Sequence, residues 1–337
     1  MKNTFTDSFD RTINYLRLSI TDRCNLRCLY CMPPKGITKL AHKDILRFEE
    51  LLRICGILSN MGISTVRITG GEPLVRKGAS GFIKELKCLS GIKRVNMTTN
   101  GVLLGEYVQS LAASGLDAVN VSLDTLDEEK FSRLTRGGSL KSILPAIDRA
   151  LDMGLEVKIN CVPMHGFNEE ELVRFASLAR DKNIAVRFIE LMPLGVAAEL
   201  KPLPINEAAF IIEKTYGTLT AAKEKSGSGP AVYYTLPGFS GRIGIIGAVS
   251  RRFCEKCNRI RITADGTLKL CLAHDLGINI RELLRGETSD KEIEEAIRNL
   301  ARKKPAGHNF DSSRLGTNEA AYEKAKLRKT EMVRIGG

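Results

Sequence analysis

Thr21-Asp22-Arg23-Cys24-Asn25-Leu26-Arg27-Cys28-Leu29-Tyr30-Cys31-Met32-Pro33 sets three thiols in a C-x3-C-x2-C array, directly after an apolar run that reads as a strand. Three is the informative number. Structural zinc takes four tetrahedral ligands, and its C-x2-C pairs normally come in twos. A loop with three thiolates suits an iron–sulfur cube in which one iron lacks a protein ligand. Such an iron can bind and reduce a small molecule, so the stretch reads as a reaction centre at a strand end rather than as scaffolding.

The same logic recurs downstream. Cys254, Cys257 and Cys271 form a C-x2-C-x13-C array that opens Phe253-Cys254-Glu255-Lys256-Cys257-Asn258-Arg259-Ile260-Arg261-Ile262-Thr263. A zinc ribbon begins in the same way. It needs a fourth ligand, and His274, just past Cys271, offers a Cys-Cys-Cys-His alternative. Set beside the first triad, the array reads as the ligand set of a second cluster with its own vacant iron.

Around the first triad, short apolar or β-branched runs alternate with helix-like segments. Strands are predicted at Leu16–Ile20, Thr65–Thr69, Arg94–Thr98, Ala118–Leu123, Glu156–Val162 and Ala185–Leu191. Amphipathic spacing predicts helices at Phe48–Ser59, Leu104–Ser114, Ser142–Met153 and Glu169–Asp181. Parallel neighbours need a crossover helix, so these repeats predict an α/β fold, a partial (βα)6 TIM-type barrel with its active site at the C-terminal strand ends. After about residue 200 the rhythm changes to a smaller α+β region. Its strands are predicted near Val232–Leu236, Arg242–Ile246, Ile260–Ala264 and Leu268–Leu272, and its helices at Ile280–Leu284 and Asp290–Lys303. The expected division is 1–200, 201–304 and a polar, basic tail 305–337, with a flexible loop at Glu224–Pro230.

Composition bounds the function. The chain has 337 residues, 43% apolar and 27% charged, as in a soluble globular protein with a sizeable core. No apolar run reaches the roughly 18 residues that cross a bilayer, and no signal-peptide pattern opens the chain. Nine cysteines without such a signal fit a reducing, cytoplasmic setting. Cys55, Cys88 and Cys161 read as core thiols. The net charge of +12 allows a nucleic acid or a polyphosphate. An aromatic fraction of 6% without tryptophan gives little for bases to stack on; much of the excess also fits a plain solvated face, and charge alone decides nothing.

At the strand ends, Thr69-Gly70-Gly71-Glu72-Pro73 can bring backbone close to a ligand, with Glu72 as a candidate partner for an ammonium group. Thr98-Thr99-Asn100-Gly101 and Ser122-Leu123-Asp124 fall at equivalent depths, and each also fits a turn or helix cap. Arg17, Arg67 and Lys158 interrupt apolar strand sequence, and Arg259 and Arg261 share one face of a strand. Such cations need pairing, by nearby carboxylates or by a bound polyphosphate. Five of them around two metal loops favour a collective anion site.

The cysteine loop resembles that of the radical S-adenosylmethionine (SAM) superfamily. Together with Cys-Glu-Lys-Cys-Asn-Arg-Ile-Arg-Ile-Thr, the distant third Cys and the terminal Gly336–Gly337, it resembles the GTP 3′,8-cyclases of molybdenum-cofactor biosynthesis, from about Arg11 to Arg302 and again at the last residues. The resemblance implies a SAM-dependent lyase that converts GTP to (8S)-3′,8-cyclo-7,8-dihydroguanosine 5′-triphosphate, with two 4Fe–4S clusters. It places the first cluster on Cys24, Cys28 and Cys31 with SAM, and the second on Cys254, Cys257 and Cys271 with the guanine. It implies SAM contacts at Tyr30, Gly71, Ser122 and Met192, and GTP contacts at Arg17, Arg67, Thr98, Lys158, Arg259, Ile260 and Arg261. Gly336 and Gly337 would enter the active-site channel. An electron donor, a downstream molybdopterin-pathway protein and a homodimer are the implied partners, with no membrane and no nucleic acid. Two alternatives stand beside this reading. A radical SAM peptide maturase with auxiliary clusters usually carries more downstream cysteines, and a zinc-dependent nucleic-acid binder is permitted by the charge.

Overall fold

The computed structural model describes residues 4–222, 229–308 and 310. Most of the loop expected at Glu224–Pro230, and Gly336 and Gly337, lie outside the described residues. Six strands run in parallel order: β1 Tyr15–Ser19, β2 Thr65–Thr69, β3 Arg94–Thr99, β4 Ala118–Ser122, β5 Glu156–Cys161 and β6 Ala185–Ile189. Crossovers between them include α1 Phe48–Met61, α2 Ala79–Lys87, α3 Leu104–Ala113, α4 Glu128–Thr135, α5 Ile143–Asp152 and α6 Leu172–Ser177. Each strand alternates by residue. Leu16, Leu18, Val66, Ile68, Val119 and Val121 are fully buried in the core, whereas their neighbours Arg17, Arg67 and Asn120 border a cavity. The period-two pattern of a strand thus gives an apolar face and a polar lumen. The result is a partial TIM-type barrel.

The strands after residue 200 do not build a sheet of their own. They comprise β7 Thr220–Ala221, β8 Val232–Thr235, β9 Arg242–Ile246, β10 Arg259–Ile262, β11 Thr267–Lys269 and β12 Gly277–Asn279. Among the described residues, β9 pairs parallel with β6, and β10 pairs parallel with β1. Antiparallel β8 and β7 extend one edge, and β11 and β12 the other. Helices α7 Ile205–Tyr216, α8 Ile280–Arg285 and α9 Asp290–Ala301 complete the region. Cys55 and Cys161 are buried, but Cys88 is exposed. It follows α2 directly, and its thiol lies 3.4 Å from the carbonyl of Lys84, a helix-end position that packing does not cover. Among the described residues no helix is long and apolar enough to cross a membrane.

Candidate active site

The two cysteine triads enter the lumen from opposite ends of the β1–β10 pair. Cys24, Cys28 and Cys31 follow the C-terminal end of β1. Cys257 lies two residues before Arg259, which is in register with Tyr15 at the N-terminal end of β1. The thirteen residues between Cys257 and Cys271 are an excursion up β10 and back down antiparallel β11, with Arg261 opposite Lys269. The turn between them closes through Gly266, whose N–H donates to the Thr263 carbonyl at 2.9 Å and whose φ of +85° suits a residue without a side chain. The hairpin therefore returns Cys271 to the end from which Cys257 started. All six thiols border one cavity of about 360 Å3, so the site is not confined to the C-terminal strand ends.

The first loop is clipped to the end of β2. The Gly71 N–H donates to the Thr21 carbonyl at 2.8 Å, and the Glu72 N–H to that of Arg23 at 2.8 Å. A Cβ on Gly71 would stand 2.4 Å from the Arg23 oxygen, which explains the glycine. Glu72 does not border the cavity. Its fully buried carboxylate accepts from Leu74 N at 3.1 Å, Thr99 Oγ1 at 2.8 Å and Asn100 N at 2.7 Å, so it clips β2 to β3 rather than meeting a ligand ammonium. Burial raises its pKa to about 7. The Asn100 amide stands 2.8 Å from Asn25 Oδ1 and 3.8 Å from Cys24 Sγ, so the same clip orients the cysteine loop. Tyr30 donates to Asp124 Oδ2 at 2.6 Å, and Val162 N donates to Asp124 Oδ1 at 2.7 Å. Burial raises Asp124 to about 6. Tyr30, Gly71, Ser122 and Met192 all border the cavity beside this triad.

Between the triads the lumen is cationic. Arg17 on β1 is in register with Arg67 on β2 and with Arg261 on β10. Burial, then the charges of Arg261 and Arg67, lowers the Arg17 pKa well below its ordinary value. Burial, then Arg259, lowers Arg261 to about 10. Arg67 also donates to the Tyr15 hydroxyl and lies 3.5 Å from Thr98 Oγ1. Thr98, Arg259, Ile260 and Arg261 border the cavity; Lys158 does not. Its ammonium pairs with Glu156 at 2.6 Å, and burial lowers its pKa to about 8. A lumen cation and its support lie outside the residues singled out from sequence. Arg187 on β6 borders the cavity, held by Asn160 Oδ1 at 2.8 Å. It interrupts Ala185-Val186-Arg187-Phe188-Ile189 just as Arg67 interrupts β2, so the same sequence signal marks it.

The thiol sets fit iron–sulfur cubes better than single ions. One zinc ion needs its thiolates at about 2.3 Å from one centre. Each triad offers three thiols where a structural zinc ion takes four ligands. His274 Nε2 instead meets the Gly307 carbonyl at 3.1 Å. Burial raises the Cys24 thiol to about 12, so its thiolate calls for a bound cation. For Cys257 burial acts in the same direction, but Lys304 and Arg259 outweigh it and the thiol is lowered.

A partial barrel with three thiols at the end of β1 defines the radical SAM class, and residues 18–179 match the model of the Radical SAM superfamily. Residues 184–310 match that of Molybdenum Cofactor Synthesis C. A solved structure, Streptococcus suis SuiB bound to S-adenosylmethionine, shares the fold with a TM-score of 0.59 at 16% identity, covering 85% of this chain and 68% of that one. The GTP 3′,8-cyclase of Peptoclostridium acidaminophilum is 44% identical over 100% of this chain and 99% of its own. That of Thermodesulfovibrio yellowstonii is 46% identical over 89% and 94%. The chain belongs to the GTP 3′,8-cyclase family of the radical SAM superfamily.

Proposed function

We propose that this chain converts GTP to (8S)-3′,8-cyclo-7,8-dihydroguanosine 5′-triphosphate, an early step of molybdenum-cofactor biosynthesis. One observation carries the reading: a single lumen holds a cysteine triad at each end and a row of buried and half-buried cations between them. A substrate that fills it needs a polyanionic part and a part that reaches a vacant iron. A nucleoside triphosphate has both.

Cys24, Cys28 and Cys31 would hold one 4Fe–4S cluster together with SAM, and Cys254, Cys257 and Cys271 a second one beside the guanine. When bound, these groups supply one-electron reduction and hydrogen-atom abstraction at the ribose C3′. The rest is positioning by this chain. Arg17, Arg67 and Arg261 bind the triphosphate by charge-assisted hydrogen bonds, with Thr98, Arg259 and Ile260 beside them and Lys158 adding charge from outside the cavity wall. Tyr30, Gly71, Ser122 and Met192 hold SAM. The fixed lumen brings C3′ and C8 together and keeps water from the reacting atoms.

In this reading residues 1–200 form the radical core, 201–304 carry the second cluster, and the tail 305–337 delivers Gly336 and Gly337 into the channel. An electron donor, a downstream molybdopterin-pathway protein, a homodimer and a cytoplasmic setting complete it. Anaerobic turnover of SAM with GTP tests it, with the cyclic triphosphate as the expected product. SAM cleavage indifferent to GTP would reject it.

A further inference from the structure

Beyond the six thiols, a short segment after α9 braces the second triad. Lys304 is only 3% exposed. Its Nζ donates to the Arg259 carbonyl at 2.6 Å and to the Leu270 carbonyl at 2.7 Å. Arg259 stands two residues after Cys257, and Leu270 immediately precedes Cys271. One buried cation therefore ties together the two strands that carry these thiols, at the end where the thiols stand.

Arg11 does the same for the third thiol. Its guanidinium donates to the Cys254 carbonyl at 2.9 Å, and to the carbonyls of Ala306 at 2.9 Å and Pro305 at 2.7 Å. Asp7 accepts from its Nε at 2.6 Å, so the fork is held from behind. Gly307 packs on Cys254, where an added Cβ would lie 3.7 Å from Sγ. Every ligand segment of the second triad is thus hydrogen-bonded to, or packed against, residues 304–307 or Arg11.

We propose that Lys304 is a positioning residue for the second cluster, which fixes the Cys257–Cys271 geometry and sets the electron affinity of the centre. The inference rests on the reading that this triad holds an iron–sulfur cluster. A cube bound by thiolates gains negative charge when reduced, and a fixed positive charge beside it favours that form. Hydrogen bonding and charge around the thiolates are the protein's means of setting such potentials.

The test uses the full chain with Cys24, Cys28 and Cys31 changed to Ala, so that the second cluster alone is read. Iron content and an EPR-monitored redox titration are compared for that background, for added Lys304→Met and for added Lys304→Arg. Lys304→Met is expected to load four irons and to disfavour reduction at least tenfold, about 59 mV for a one-electron couple. Lys304→Arg should return most of that shift. Loss of iron in Lys304→Met with retention in Lys304→Arg would also support the brace, since the cation would then be needed to hold the thiols. An unchanged potential at full loading in Lys304→Met would overturn the proposal, as would equal losses in both variants. A background protein that binds no iron, or one zinc, would instead reject the cluster reading beneath it.

Discussion

Arg17 and Arg261 stand directly opposite each other on β1 and β10, two half-buried arginines in one layer of the barrel. Burial, then the charge of Arg261, lowers the Arg17 pKa well below its ordinary value, and burial, then the charge of Arg259, lowers Arg261 to about 10. Like charges in one layer disfavour each other unless an anion joins them. Arg67 adds a third cation beside Arg17. The layer is therefore suited to a ligand with several negative charges, placed midway between the two triads.

Replacing Arg17, Arg67 or Arg261 singly by Ala should weaken GTP binding by about 1.5–3 kcal/mol, a roughly 10- to 150-fold rise in dissociation constant. Guanosine, without phosphates, should bind poorly to every form. Calorimetric titration with GTP and guanosine checks both statements. Equal affinity for the two would remove the triphosphate from this layer.

Anaerobic reconstitution should load about eight irons per chain, two cubes of four. Changing Cys24, Cys28 and Cys31 to Ala should halve the iron and abolish SAM cleavage. Changing Cys254, Cys257 and Cys271 should also halve it, stop cyclisation and leave SAM cleavage measurable. One zinc in the second triad, found by metal analysis, would contradict that assignment.

Glu72 gives a pH-dependent test of the clip under the first triad. Its folded pKa of about 7 lies above the unfolded value of about 4.3. The folded state therefore holds the proton more tightly. The stabilisation from this group is fully present below about pH 4.3 and is lost as pH rises through about 7. Glu72→Gln removes that titration and turns an amide N–H₂ toward a backbone or hydroxyl donor, a loss of about 1–3 kcal/mol. Denaturant unfolding should show the stability gap between native and variant narrowing from pH 4.3 to 7. A gap that widens over that window would reverse the sign.

The Gly336–Gly337 end, outside the described residues, carries a further prediction. Deleting both glycines, or changing both to Ala, should abolish cyclised product while both clusters still load. Only glycine lacks the side chain that would crowd a channel already holding two reactants. Full cyclase activity in the truncated chain would return the tail to an ordinary frayed terminus.

The parallel core was legible because each strand is a short apolar run followed by helical spacing, and Thr65–Thr69 and Arg242–Ile246 match the sequence-based bounds. Arg17 and Arg67 were legible because a cation in an apolar strand has few explanations. The place of β10 beside β1 was not legible. More than two hundred residues separate the two strands, and local periodicity says nothing about which edge a strand joins. The opposite entry of the two triads follows from that pairing, so it too needed the fold. Glu72 and Lys158 show the converse limit: sequence marks a charged residue at a strand but cannot say that Thr99, Asn100 or Glu156 already satisfies it. Lys304 sits in Lys303-Lys304-Pro305, at the edge of the basic tail, where sequence alone does not single it out; its burial and its bonds to the Arg259 and Leu270 carbonyls do.

The most direct measurement is anaerobic turnover with GTP carrying deuterium at the ribose C3′. The 5′-deoxyadenosine recovered should gain one deuterium and appear in step with the cyclic triphosphate. SAM cleavage that yields unlabelled 5′-deoxyadenosine at an unchanged rate, with GTP recovered intact, would contradict a cyclase acting on the C3′ of GTP.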